Sequence, residues 1–157
     1  MFDRHIRASL SGRRGKNVQD VEEIKIDGEV VALLIGDGYD DKGVSFFTPA
    51  EFSQQVAYMR HPEGHEIAAH RHLLHERQIL LTNEVLFIKS GRLRVDLYGD
   101  HDYVVTSREL GPGDVILLVS GGHGFEILEE LRMVEVKQGP YAGDGDKLLF
   151  DPQPPPS

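Results

Sequence analysis

The chain has 157 residues, 39% of them hydrophobic, which suits one ordinary domain with enough apolar side chain to fill a single core. Acidic residues outnumber basic ones 26 to 17, and the formal charge of −9 argues against a nucleic-acid binder and against an anionic membrane surface, since phosphate neutralisation needs clustered Lys and Arg. Cysteine is absent, so no disulfide staples the fold and any metal must be held by nitrogen and oxygen donors.

Residues 1–18 are basic and rich in Gly and Ser, and read as an N-terminal arm. Their positive charge is not followed by the apolar run of a secretory signal, and the greasiest stretch, Val115–Val119, is far shorter than the roughly 20 residues of a membrane helix. The expectation is a cytoplasmic protein. Residues 19–150 read as a single domain, and 151–157 as a proline-rich tail that cannot donate to a sheet ladder.

Within the domain, short strand-like runs alternate with turn dipeptides, the pattern of an all-β sandwich or barrel. In chain order the runs are 23–26, 30–35, 44–47, 55–59, 66–72, 84–88, 93–97, 103–106, 115–119, 124–127 and 133–137. Asp27-Gly28, Pro62-Glu-Gly64, Ser90-Gly91, Gly111-Pro-Gly113 and Gly121-Gly122 punctuate them. Helical spacing is absent, apart from one possible turn at 49–55.

Chemistry concentrates in two blocks. His70 and His72 are two apart, so in a strand both side chains leave the same face. Glu84 heads a strand in which Leu86 and Ile88 share its face, and a carboxylate above an apolar row is costly unless paired or coordinated. His123 follows a Gly-Gly turn and shares parity with Phe125 and Ile127. Three imidazoles and a carboxylate on one β framework point to one divalent transition metal ion per chain: Fe, Mn, Ni, Co, Cu or Zn. Positions left open on such an ion would admit water or substrate. Calcium and magnesium prefer all-oxygen shells. His5, His61, His65, His75 and His101 fall in turns or loops and receive no role.

These residues resemble the cupin superfamily, whose first motif is G-x5-H-x-H-x3,4-E-x6-G and whose second is G-x5-P-x-G-x2-H-x3-N. Gly64, His70, His72, Glu84 and Gly91 match the first by type and order, although eleven residues separate His72 from Glu84. That insertion creates a rival carboxylate, Glu76, at the short spacing; Glu84 is preferred because the strand and the closing Gly91 follow it. In the second motif Gly113 and His123 are present, Val119 stands for proline, the turn is one residue short, and Ile127 stands for asparagine. The resemblance, over about residues 59–137, implies a double-stranded β-helix, the cupin jelly-roll barrel, with metal ligands His70, His72, Glu84 and His123 inside. It also implies a homodimer exchanging strands from 21–35. Phe46-Phe-Thr-Pro49, Gly121-Gly-His-Gly-Phe125 and Glu135-Val-Lys-Gln-Gly-Pro-Tyr141 are similar to a group of small single-domain cupins associated with bacterial surface-polysaccharide and sugar metabolism.

Three functions compete. The first is a metal-dependent enzyme, of oxygenase or isomerase type, acting on a small polar ligand such as a sugar or hydroxy acid, with Arg77, Tyr58 and Lys137 as substrate-binding candidates. The second is a non-catalytic sensor or carbohydrate-binding module. The third is a metal-free nucleotide-sugar isomerase or epimerase, with a His as base and a Tyr as acid; it predicts a histidine paired with an acid, and lacks the Arg cluster that a diphosphate wants.

Overall fold

The computed structural model describes residues 21–99 and 102–155; the N-terminal arm expected at 1–18 lies outside them. Eight strands form: β1 (Val21–Ile26), β2 (Glu29–Ile35), β3 (Gly43–Phe46), β4 (Ala57–Arg60), β5 (Glu84–Tyr98), β6 (Val104–Leu110), β7 (Val115–Leu118) and β8 (Gly122–Lys137). The described residues contain no α-helix, only a 3-10 turn at Gly143–Gly145, and no helix long and apolar enough to cross a membrane. The 49–55 stretch is a turn closed by the Phe52 amide donating to the Pro49 carbonyl.

Every ladder is antiparallel. The main sheet runs β1-β2-β7-β5-β6, with β8 on β5, and β3 pairs with β4 as a separate hairpin. The β1–β2 turn places Asp27 at φ 53° and Gly28 at φ 89°, the left-handed pair that a two-residue hairpin requires. Both β1 and β2 pair within their own chain, and β1 is one edge of the sheet.

The sheet curls strongly enough that its two end strands meet. Arg108 on β6 makes a forked ion pair with Glu22 on β1, 2.6 Å at the closest, although neither strand is hydrogen-bonded to the other. The result is a half-barrel whose inside is lined by Ile24, Leu34, Leu86, Leu93, Val95, Leu97, Ile116 and Leu118. A second cluster, Leu33, Ile35, Val85, Leu117 and Val119, lies on the opposite face and is covered by Phe47, Phe52 and Val56. Burial on both faces explains why β2 and β7 read as continuous apolar runs instead of alternating.

Sequence and structure part in two places. The runs at 84–88 and 93–97 are one bent strand, β5, and those at 124–127 and 133–137 are one bent strand, β8. The run at 66–72 forms no strand: residues 62–82 are exposed throughout, without regular structure, because no ladder partner among the described residues runs beside them.

Candidate functional site

The β5–β8 hairpin is the element that builds the site. Glu84 pairs with Lys137 at one end of the ladder, and Leu97 with His123 near the other, thirteen residues along β5. A straight strand would separate these ends by about 40 Å at a rise of ~3.3 Å per residue. Yet His123 Nε2 lies 3.2 Å from Glu84 Oε2. The hairpin is therefore folded over on itself, at the register shifts between Ile88 and Leu93 where Gly91 takes φ 84°. Its two halves face each other across the apolar interior, with Glu84 and His123 meeting at the mouth.

Both side chains point inward. Glu84 shares its face with Leu86 and Ile88, and His123 stands opposite the buried Leu97. The Glu84 side chain is 12% exposed and that of His123 30%. Such a carboxylate needs compensation, and it has two partners: His123 on Oε2, and the Lys137 ammonium 3.3 Å from Oε1. Lys137 also lies 3.0 Å from Oδ2 of Asp146, whose side chain is only 9% exposed. Asp146 is the main influence raising the Lys137 pKa; burial opposes it and Glu84 adds to it.

Next to this cluster Asn83 is buried, accepting from Ser53 Oγ at 2.7 Å and donating to the Val119 carbonyl at 2.8 Å. The Gln138 amide donates to the Asn83 carbonyl. These bonds pin both ends of the Glu84–Lys137 rung.

The other candidates lie elsewhere. His70 and His72 sit on the exposed 62–82 segment with their rings edge to face at 5.4 Å, and His70 Nδ1 contacts the Ala68 carbonyl. Among the described residues no three His, Cys, Asp or Glu converge as a metal-holding group. The structure thus brings Glu84 to His123 and does not bring His70 and His72 to them. By type, the imidazole and carboxylate at the mouth fit a first-row divalent metal; they are half of the four donors expected. Glu76 is exposed on the same segment as His70 and His72.

Arg77 borders a shallow cleft of about 330 Å³ with Ile79–Thr82 and Gln138–Pro140. Tyr58 donates to Asp40 Oδ1 at 3.3 Å and rims a trough of about 730 Å³ on the outer face of the sheet, floored by Ile35, Val85, Phe87, Val115 and Val136. Val85 and Phe87 alternate with Glu84 and Leu86 along β5, so Tyr58 and Glu84 serve opposite faces. Asp146 escaped the sequence reading: it is one of 26 acids, in a stretch with no periodicity, and only the fold carries it to Lys137.

No family model matches this chain, and neither the curated proteins nor the solved structures yield a match. Function has to be read from the side chains themselves.

Proposed function

We propose that this is a metal-binding protein of the cupin kind, an enzyme using one divalent transition metal to act on a small polar molecule such as a sugar or hydroxy acid. The observation that carries the reading is the Glu84–His123 contact, which joins the carboxylate of the first motif to the histidine of the second across a closed-over hairpin. The free edge of β8 supports it further. Phe125 and Ile127 face inward beside His123 but remain 42% and 54% exposed, so the half-barrel has an uncovered wall there. The exposed 62–82 segment carries Ile67, Leu73 and Leu74, also uncovered. Laid as a strand along β8, it would complete a jelly roll and present His70 and His72 to the mouth from one face.

In that arrangement Glu84 and His123 hold the ion, which supplies Lewis acidity. Lys137 stands beside it as the cation that orients a substrate oxygen or carboxylate. Such a chain works in the cytoplasm and as a homodimer.

The test is the metal content of untagged protein purified without chelator. About one transition metal per chain is expected, falling at least tenfold in His72→Ala and Glu84→Gln but not in Glu76→Gln, since each lost donor removes a large part of the coordination energy. Protein that is metal-free and refuses added metal overturns the reading. The weight then moves to metal-free acid–base chemistry, which the histidine–carboxylate pair itself favours: Glu84 would orient His123 as a base. Tyr58, being on the other face, would not be its acid.

A further inference from the structure

The segment after β8 is tied to the mouth at several points. It leaves the rung at Gln138, whose amide donates to Asn83, and returns Asp146 to Lys137. It then passes over the rim, where Phe150 packs edge-on against Tyr98 with ring centroids 5.1 Å apart. Phe150 also lies so close to Gly122 that a Cβ there would stand 3.1 Å from the ring. This puts Phe150 on the outer face of β8, opposite to His123, so that the segment crosses from the mouth at Asp146 to the outside of the rim. Beyond it the Gln153 amide donates to the Asp102 carbonyl. The Asp146 Oδ2 is sealed from solvent and, among the described residues, makes no other polar contact than the Lys137 ammonium.

We infer that residues 138–150 are a strap closed over the mouth by a clasp, in which Lys137 is the resident counter-cation of Glu84 and Asp146 is the hook that the ammonium holds. One cation serves two carboxylates, so the strap and Glu84 are coupled through a single side chain. Removing the ammonium leaves Asp146 buried with no charge partner, which forces the strap to lift. Neutralising Asp146 frees the strap directly and leaves Lys137 wholly to Glu84. A cation that settles at Glu84 repels Lys137 towards Asp146 and tightens the closure. This last step rests on the metal reading above; the clasp does not.

The test compares the full-length wild type with Lys137→Met, Lys137→Arg and Asp146→Asn, without metal. Hydrogen exchange over 139–150 and carbethoxylation of His123 by diethyl pyrocarbonate are followed by mass spectrometry. The Lys137→Met and Asp146→Asn variants should exchange the strap about tenfold faster and expose His123 several-fold more, with β2 and β7 protected as in wild type and with Lys137→Arg keeping the strap closed. Strap exchange and His123 reactivity equal to wild type in both variants would overturn the clasp, as would faster exchange in β2 and β7 to the same degree, which marks general unfolding. Mn(II) is then titrated separately. Tighter binding by Lys137→Met and weaker binding by Asp146→Asn support the coupling, whereas changes of the same sign overturn it. A wild type that takes up no Mn(II) while the strap responds as expected defeats the metal reading and leaves the clasp standing.

Discussion

Asp96 shows how the outer surface of the half-barrel is held by charge as well as by its core. It is 8% exposed, bonded by both oxygens to Arg94 at 3.0 Å, with Ser107 Oγ donating from β6. Arg94 chiefly, and then Ser107, lower the Asp96 pKa against the opposing effect of burial. A carboxyl whose folded pKa is depressed stabilises the fold above its unfolded pKa, and that stability is lost as pH falls through the folded value. Asp96→Asn should therefore cost about 1 kcal/mol at neutral pH, a modest figure because Arg94 is half exposed and screened. The difference from wild type should shrink to nothing in acid well below the normal carboxylate range. Urea denaturation of both proteins at neutral and acid pH measures it; a cost that persists unchanged in acid would show that the ionised form contributes nothing special.

At the level of elements, the bend in β5 does more for the site than any strand taken singly. Gly91 sits at φ 84°, and a Cβ there would stand only 2.0 Å from the Glu130 carbonyl oxygen, where the two bent strands cross closely. Gly28 takes a similar φ of 89° but has open space around it. Gly91→Ala should lose about 2–4 kcal/mol, and Gly28→Ala only about 1 kcal/mol, because both suffer backbone strain but only the first also meets backbone. Equal losses in chemical denaturation would mean that β8 yields freely at Glu130. The same bend explains what could be read in advance. Ser90-Gly91 is a turn dipeptide by composition, and the sequence duly divides there into two runs, yet the ladder to β8 resumes beyond the register shifts and makes one long strand. Alternation located Glu84 and His123 as polar heads over apolar rows, since parity is local. Their contact, and that of Lys137 with Asp146, depends on how far the hairpin folds over, a long-range property with no periodic trace. At 66–72 alternation predicts a strand that does not form, because a strand also needs a partner and the sequence pattern is silent about partners.

For the molecule as a whole, the unequal treatment of its two sides matters most. On the β1–β6 side the curl is fastened by the Glu22–Arg108 pair; on the other, β8 runs for sixteen residues with one neighbour among the described strands, β5. An unpaired edge of that length, beside inward-facing Phe125 and Ile127, is a template for another strand. The 62–82 segment is tethered to the same domain, so its local concentration far exceeds that of a second copy, and a metal that binds both motifs would favour the docked form by its differential affinity. Adding Mn(II) or Zn(II) to the full-length protein should thus slow hydrogen exchange in 66–75 and in 122–129 together, by about tenfold or more. His72→Ala should abolish both effects, while sedimentation should show no metal-dependent change in mass. If metal binds with 66–75 still exchanging freely, the ion is held without the first motif's histidines. If protection along β8 grows with protein concentration instead of with metal, a second copy fills the open edge, and the homodimer is built there and not by exchange of strands from 21–35.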